Sequence, residues 1–452
     1  MTSTYGTESG RGTDGAAGTD TSAPRARSVL ISGASIAGPA LAYWLHRYGF
    51  AVTVVEKADA VRGGGYPIDI RGTALEVVER MGLLPGVRAA HVDSRQVSFL
   101  GPDGSVRAAI RPETMTGGVE GRDVEVRRGD LADLLYGLVR DDVEFLFGDS
   151  IATLDDRGHG DGRGRRDGDG RGDGDRGDSR DGGVDVVFRS GARRTFDLVV
   201  GADGIHSHTR GLVMGPEERF HRSLGQCFAG FTLPNDFGLR HEGVIRNTPG
   251  KGAVLYAVEE TEDLHGFLVF ASDLVESTVP LTAFRDPAAQ RELVASVFAD
   301  EGWEVPRMVT AMRAADDLFF DVAGQIHLPS WSTGRVALVG DAAYAPSFFS
   351  GQGSSIALIG AYVLAGELAT HPDHTAAFAA YESGLREFVE ANQALAHSGL
   401  AVLAPRTAED LAARDKALAE PTLASGEEGR SINSALELRD YAAGAGVLNG
   451  AA

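Results

Sequence analysis

The chain has 452 residues with 43 basic and 64 acidic side chains. The resulting net charge of −21 argues against nucleic acid or an anionic membrane surface as a partner, because both require clustered lysine and arginine. The single cysteine, Cys227, excludes an internal disulfide framework and is typical of the reducing cytoplasm. No apolar run reaches the roughly 18 residues of a membrane span. Residues 1–27 are polar and predict a disordered leader rather than a signal peptide.

The first patterned stretch predicts a nucleotide-binding unit. Its parts are a strand over 28–32, the turn Gly33–Gly38, a helix over 40–48 and a strand over 51–55. Glu56 ends the second strand, 23 residues after Gly33. A dinucleotide fold requires this order, because the helix N-terminus receives the pyrophosphate and the carboxylate receives the ribose hydroxyls. Ser35 replaces the usual middle glycine, leaving less room for phosphate but supplying a hydroxyl donor.

Two features before residue 140 suit a flat or anionic ligand. Residues 62–72 contain three consecutive glycines and a proline, which permit a close backbone approach to a flat ligand; a surface loop is the alternative. A hairpin is predicted over 96–111, with turn residues at its centre. The next helix is predicted with Asp130 as its N-cap. Arg128, just before it, could then reach a phosphate or a ring, or could simply be solvated.

Residues 155–183 are nearly all Gly, Asp, Arg and Ser, a composition that cannot form a core. The segment lies between two strand patterns, Val143–Phe147 and Val184–Phe188. We interpret it as a disordered extension of a hairpin loop. Its acidic residues cancel its arginines, which disfavours a role in nucleic-acid binding.

A second glycine turn follows the buried strand Leu198–Val200. Asp203 and Arg210 flank this turn, which suits a ligand containing pyrophosphate: the acid would accept a ribose or ribityl hydroxyl, and the arginine would offset phosphate charge. His206 and His208 do not predict a metal site, because no third ligand is clustered with them.

Residues 216–317 alternate in polarity, contain many aromatic side chains and predict a β-rich unit inserted into the first fold. Along the strand 224–233, one face carries Gln226 and Phe228 and the other carries Cys227. A flat substrate is one candidate for contact with these faces. Ordinary core packing is the alternative for the aromatic residues.

Residues 336–358 predict the centre of the first unit. A buried strand breaks at Gly340-Asp341, and a small-residue loop then enters an apolar helix near Ser354. A carboxylate at the end of a buried strand, followed by glycines that open a helix, suits a polar ligand chain held against the helix N-terminus. Helices predicted over 375–401 and 407–419 close the fold.

Three motifs in this order resemble those of the flavin-dependent aromatic hydroxylases, the family of para-hydroxybenzoate hydroxylase. The tetracycline-hydroxylating and aromatic-polyketide monooxygenases look closer still. The motifs are Gly33-Ala-Ser-Ile-Ala-Gly38, Gly201-Ala-Asp-Gly-Ile-His-Ser-His-Thr-Arg210 and Gly340-Asp-Ala-Ala343. The resemblance covers about residues 28–400, apart from the insertion.

The resemblance implies an α/β fold: a Rossmann-like FAD-binding domain, built of a parallel sheet with helices, an inserted β-rich substrate domain and C-terminal helices. The implied FAD-binding domain is discontinuous and comprises residues 28–95, 127–215 and 318–400. The substrate domain comprises residues 96–126 and 216–317, and residues 401–452 form a C-terminal helix and tail.

The family also implies roles for individual residues. The first motif would hold the FAD pyrophosphate, Glu56 the adenosine ribose and Asp341 the ribityl chain, whereas the Asp203 stretch would serve both FAD and NAD(P)H. The expected cofactor contacts are Gly33, Ser35, Ile36, Ala37, Gly38, Glu56, Lys57, Arg128, Asp203, Gly204, Arg210, Gly340, Asp341, Gly351, Gly353 and Ser354. The expected substrate contacts are Gln226, Phe228 and Phe349, and no metal is expected. The family has no second nucleotide domain, which implies that NAD(P)H docks only transiently.

These features together imply an FAD-dependent monooxygenase that consumes NAD(P)H. It would insert one oxygen atom of O2 into a bulky aromatic or polyketide-type substrate through a flavin C4a-(hydro)peroxide. The helix N-terminus at Gly353-Ser354 is suited to stabilise the anionic edge of reduced flavin. We expect a cytoplasmic monomer or homodimer whose partner is a small aromatic molecule, with no nucleic acid and no membrane.

Three alternatives are open. The first is a flavin oxidase or dehydrogenase that never inserts oxygen, and the second is a Baeyer–Villiger monooxygenase acting on a cyclic ketone. The third is a flavin-binding protein without turnover. Besides Ser35, Phe348 departs from the family pattern: it stands where relatives carry a proline close to the oxygen-reactive edge of the flavin. We expect Phe348 to reshape the pocket there.

Overall fold

The structure, a computed structural model, describes residues 26–113, 118–119, 121–157, 182–258, 262–275, 286–419 and 431–441. The expected leader, apart from its last two residues, lies outside these ranges. So do residues 158–181 of the expected insertion.

Strands and helices are interspersed up to Ala271, two helices and three strands follow, and the last part of the chain is helical. The strands are β1 (Ser28–Ser32), β2 (Ala51–Glu56), β3 (Pro67–Ile70), β4 (Gln96–Leu100), β5 (Val106–Ile110), β6 (Val124–Arg127), β7 (Glu144–Phe147), β8 (Ile151–Asp156), β9 (Val184–Phe188), β10 (Arg193–Phe196), β11 (Leu198–Gly201), β12 (His221–Pro234), β13 (Glu242–Thr248), β14 (Lys251–Ala257), β15 (Asp263–Ala271), β16 (Phe319–Ile326), β17 (Ser332–Thr333) and β18 (Val336–Leu338). The helices are α1 (Ala37–Arg47), α2 (Thr73–Arg80), α3 (Leu84–Ala89), α4 (Arg128–Gly137), α5 (His208–Met214), α6 (Pro287–Val297), α7 (Val305–Ala314), α8 (Asp341–Tyr344), α9 (Gly353–Thr370), α10 (His374–Leu403) and α11 (Ala408–Ala419). Short 3-10 turns occur at Glu217–Arg219, Ser272–Leu274 and Phe348–Ser350.

The first sheet has the strand order β17–β18–β11–β1–β2–β7, and all its neighbours are parallel except β17 and β18. Its central strands are mostly apolar because both faces are covered. Helices such as α1 and α9 pack on one face, and the three-stranded sheet β10–β9–β8 packs on the other. The register places Ser32 opposite both Val55 and Gly201, and Gly201 opposite Leu338. The residues that follow these four strands therefore meet at one sheet edge. This confirms the expected α/β class with a parallel sheet and helices.

Helix α9 is the core helix of this unit. It packs against α1 and α10, and fourteen of its eighteen residues are buried. Among the described residues it is the one helix long and apolar enough to cross a membrane by length and composition, with 78% of it buried inside the protein. Its apolar surface is thus covered by other parts of the chain, as in the core helix of a large domain.

The second sheet has seven strands in the order β16–β12–β15–β14–β13–β4–β5. The hairpin predicted over 96–111 is confirmed as β4 and β5. The boundary predicted at residue 318 is wrong for β16, because this strand pairs with β12 in the second sheet. Its sequence mixes apolar and polar residues and is compatible with a strand of either sheet, so only the pairing assigns it. One face of this sheet packs on α6 and α7 to form a separate core.

Two local expectations need correction. The hairpin that flanks the insertion is formed by β8 and β9, whereas β7, the strand predicted to form it, pairs with β2 in the first sheet. Helix α4 begins at Arg128 with Arg127 in the N-cap position, so Asp130 lies in the first turn and is not the cap. The backbone N–H groups of Arg128 and Gly129 donate instead to the carbonyl oxygens of Tyr66 and Gly64, next to the small sheet in which β3 pairs with β6.

Candidate functional site

The turn Gly33–Gly38 connects β1 to α1 and leaves no space for larger residues at its two ends. Gly33 has φ +109°, and a Cβ there would lie 2.5 Å from the carbonyl oxygen of Ala202. A Cβ on Gly38 would lie 1.9 Å from the carbonyl oxygen of Gly33. Both glycines are therefore required by the close packing of the turn against α1 and against the end of β11. Ile36 and Ala37, between them, are buried.

Glu56 stands beside this turn at the end of β2. Its two carboxylate oxygens accept the backbone N–H groups of Ala34, at 2.8 Å, and Ala58, at 3.0 Å. Arg128 donates to the Ser35 hydroxyl at 2.6 Å, across a cleft that all these residues line. An acid, a cation and the N-terminus of α1 thus converge, as a nucleotide requires. Lys57 is exposed.

Asp341 stands at the matching end of β18. Gly340 before it has φ +63°, and a Cβ there would lie 3.1 Å from the Cβ of Ala37, so the turn is wedged against α1. The Asp341 side chain lies deep among protein atoms but is still exposed to solvent, so it forms part of the floor of a cleft. Burial raises its pKa, and the charge of Arg128 opposes this rise.

The N-terminus of α9 faces the same cleft. Gly353 begins the helix, and the Asp341 Oδ1 lies 3.7 Å from the position of a Cβ on it. Ser354 lies in the first turn, whose free N–H groups favour an anionic group. Gly351, with φ +64°, ends the 3-10 turn just before the helix and could not carry a side chain without strain.

The structure corrects the expectation for the second glycine turn. Asp203 accepts hydrogen bonds from the Ser207 hydroxyl and from the backbone N–H and hydroxyl of Thr209, so its carboxylate fixes its own turn. Arg210 is fully buried and donates to the carbonyl oxygens of Ala342, at 3.0 Å, and Ile205, at 2.6 Å. It is therefore not free to offset a phosphate.

The counter-charge of Arg210 is Glu217, at 2.9 Å. Glu217 also accepts from His206, whose other ring nitrogen lies 2.9 Å from Asp321 on β16. Hydrogen bonds to these two carboxylates raise the pKa of His206 to about 9. Among the described residues, no three His, Cys, Asp or Glu side chains are grouped to hold a metal ion. Gly204, with φ +84°, has open space around it.

Phe348 occupies the centre of an aromatic cluster where the two sheets approach each other. Its ring stacks on Phe228 of β12, with centroids 5.2 Å apart, and meets Tyr66 edge-on at 6.0 Å. Phe267 of β15 completes the cluster, 6.1 Å from Phe348 and 5.8 Å from Tyr66. Such ring pairs contribute about 0.5–1.5 kcal/mol each beyond their burial. Tyr66 lies in the glycine-rich loop, which therefore reaches the site.

The other expected substrate residues are more deeply buried. Gln226 is 1% exposed, and its side-chain oxygen has no partner among the described residues. Phe349 packs into a small core under α10, where a Cβ on Gly399 would lie 2.0 Å from its carbonyl oxygen. Phe228 belongs to the same small core, and Phe349 also meets the ring of Phe348 edge-on, with centroids 5.5 Å apart.

A polar pair near the cluster is not predicted from the sequence. The Tyr256 hydroxyl lies 2.8 Å from both carboxylate oxygens of Glu125, which joins β14 of the second sheet to β6. Burial and the neighbouring Asp69 raise the pKa of Glu125 to about 8, and the hydrogen bond from Tyr256 opposes this rise. No sequence signal connects residues 131 positions apart.

Comparison with known proteins identifies the family of this chain. No protein-family model matches the chain. A flavin-dependent monooxygenase from an unknown prokaryotic organism is 37% identical over 82% of this chain and 89% of its own length. The FAD-dependent monooxygenase asL4 of Sarocladium schorii is 31% identical over 76% of each chain. Among solved structures, the tetracycline destructase Tet(55) has a TM-score of 0.74 and 33% identity, over 92% of this chain and all of its own. The chain therefore belongs to the FAD-dependent monooxygenases of the aromatic hydroxylase type, and its cofactor is FAD.

Proposed function

We propose that the enzyme uses NAD(P)H as electron donor and inserts one oxygen atom of O2 into a flat, bulky aromatic or polyketide-type molecule. The observation that carries this proposal is the aromatic cluster around Phe348. Rings from the nucleotide-binding unit and from the second sheet meet there, beside the cleft of Asp341. Aromatic side chains in this arrangement offer a flat ligand offset stacking and edge contacts without demanding a particular polar pattern.

The residues at the sheet edge fit FAD. In this proposal Gly33–Gly38 receives the pyrophosphate, Glu56 the adenosine ribose and Asp341 the ribityl chain, while Arg128 supplies the positive charge. When bound, FAD supplies the exchange of electrons with NAD(P)H and the activation of O2. The N–H groups at the N-terminus of α9 would stabilise negative charge on the flavin ring, and the rings of the aromatic cluster would keep water from it.

Tetracyclines are the first substrates to test, because the similar structure Tet(55) is named a tetracycline destructase. The purified protein is incubated with NADPH or NADH, labelled O2 and a panel of polycyclic phenols that includes tetracyclines. Transfer of one labelled oxygen atom to a product supports the proposal. NAD(P)H oxidation that yields only hydrogen peroxide with every compound would overturn it in favour of an oxidase, and a ring-expanded lactone would identify a Baeyer–Villiger enzyme.

Phe348 is proposed to set how well oxygen transfer is coupled to NAD(P)H oxidation. Phe348→Pro tests this, because residue 348 is the first of a 3-10 turn, a position that tolerates proline. Phe348→Leu is the matched variant that keeps an apolar side chain without the ring. We expect both variants to change peroxide release and substrate range. Unchanged coupling and unchanged range in both would remove Phe348 from the site.

A further inference from the structure

His206 joins the two units of the protein through two carboxylates. Its Nδ1 lies 2.8 Å from Glu217 and its Nε2 lies 2.9 Å from Asp321, while the histidine itself belongs to the turn that follows β11. Asp321 lies on β16 and is 7% exposed, so its charge is largely removed from water. A buried carboxylate is stable only when it is paired and hydrogen-bonded, which makes His206 its essential partner here.

The two carboxylates, Asp321 and Glu217, connect His206 to different parts of the proposed site. Asp321 stands opposite Phe228 in the pairing of β16 with β12, and Phe228 stacks on Phe348. Glu217 pairs with Arg210, which donates to the carbonyl oxygen of Ala342, the residue after Asp341. The ring of His206 is thus the link between the aromatic cluster and the turn that carries Asp341.

We propose that His206 is a positioning residue, which holds the β16 edge of the second sheet at a fixed distance from the cofactor turn. The inference rests on the proposed function, in which substrate lies against the aromatic cluster. A site held loosely at this edge admits water and misplaces the substrate ring, so electrons from NAD(P)H reach peroxide instead of product.

The surrounding charges support this role. His206 faces Glu217 and Asp321 directly. Burial lowers the pKa of the neighbouring His221, and the charges of His206 and Arg210 lower it further while those of Glu217 and Asp321 oppose them. The pKa of His206 is raised to about 9, so the ring is a cation donating from both nitrogens at neutral pH. The link is therefore complete at pH 7 and is lost as the pH rises through about 9.

The test compares three variants of the full-length, FAD-loaded protein. His206→Asn removes the charge and one donor, whereas His206→Arg keeps a permanent cation with several donors. His208→Asn is the control, because His208 is exposed and lies two residues further along the same turn. Two quantities are measured from pH 7 to 10: the exchange of the amides in Phe319–Ile326, expressed relative to the intrinsic rate of an unprotected amide at the same pH, and the ratio of oxygenated product to NAD(P)H consumed.

In His206→Asn at pH 7 we expect about tenfold faster exchange in β16 and at least about threefold lower coupling, because the cation that donates to both carboxylates is lost. Wild type and His208→Asn should approach these values only above about pH 9, and His206→Arg should show little pH dependence. Wild-type exchange in His206→Asn would overturn the link itself. Faster exchange with unchanged coupling would reduce it to a structural contact. Because exchange needs no substrate, it decides on the link even if the proposed function fails.

Discussion

Replacing Arg210 by methionine tests whether this arginine stabilises the fold or binds the phosphate groups of FAD. The glycine-turn motif suggests a phosphate contact, whereas in the structure the guanidinium is fully buried and bonded to Glu217, Ala342 and Ile205. Arg210→Met keeps most of the volume but removes the charge and all three hydrogen bonds. The loss should therefore appear in the stability of the FAD-free protein.

The expected loss of stability depends on Glu217, the carboxylate that loses its ion-pair partner. Breaking a buried ion pair costs about 3–5 kcal/mol. The lower end applies here, because Glu217 is 24% exposed and keeps its bond to His206. Unfolding entropy of about 2.1 cal/mol/K per residue gives roughly 0.9 kcal/mol/K for 452 residues. A loss of about 3 kcal/mol thus lowers the Tm by about 3 °C, if the chain unfolds as one unit.

The assay measures the Tm of the deflavinated protein and the Kd for FAD of the folded protein, by flavin fluorescence. Arg128→Met is the matched control, since Arg128 is half-buried and donates to Ser35 at the cleft. We expect Arg210→Met to lower Tm with little change in Kd, and Arg128→Met to weaken FAD binding by about tenfold with little change in Tm. The reverse result for Arg210, a normal Tm with weak FAD binding, would refute the structural assignment.

Three further predictions concern other parts of the molecule. In Gly38→Ala the new Cβ would lie 1.9 Å from the Gly33 carbonyl oxygen, so this variant should be destabilised by at least about 2 kcal/mol. Gly211 has open space around it, so Gly211→Ala should keep wild-type stability. Equal denaturant midpoints for the two variants would show that Gly38 is not closely packed. Burial raises the pKa of Glu125 from 4.5 to about 8, so the unfolding free energy of the wild type should fall as the pH rises from 4.5 to 8. Glu125→Gln should make this fall smaller. Parallel plots of unfolding free energy against pH for the two proteins would show that Glu125 ionises freely. Cys227 is fully buried with its pKa raised to about 12, so a thiol reagent should label it only after unfolding, and rapid labelling of native protein would place it elsewhere.

The parts of the site that sequence predicts well are those built from contiguous residues. The turn Gly33–Gly38 and the acid Glu56 belong to one strand–helix–strand unit, and their spacing alone brings them together. The same holds for Gly340-Asp341 and the start of α9, where the chain itself carries the acid to the helix N-terminus. Parallel pairing then aligns both with Gly201 at one sheet edge.

The parts that sequence does not predict depend on pairing between distant strands. Nothing in the sequence of β16 shows that it pairs with β12 rather than with a strand of the first sheet, and this pairing brings Asp321 to His206. Nor does the glycine-rich loop show that Tyr66 turns toward Phe267. These contacts lie between the two units, where topology rather than local propensity decides which side chains meet.

Residues in contiguous motifs and residues brought together by strand pairing have different proposed roles, and this difference affects substrate specificity. In the proposed function, contiguous motifs hold FAD, which is the same ligand throughout the family, so a local pattern is sufficient for them. The surface against which a substrate would lie is assembled from Tyr66, Phe348 and two strands of the second sheet, Phe228 and Phe267 supplying the rings. Its shape therefore depends on how the two units are held together, and a link such as His206 can alter substrate fit without touching the substrate. Changes in substrate range should accordingly arise from residues between the units more readily than from the motifs that identify the family.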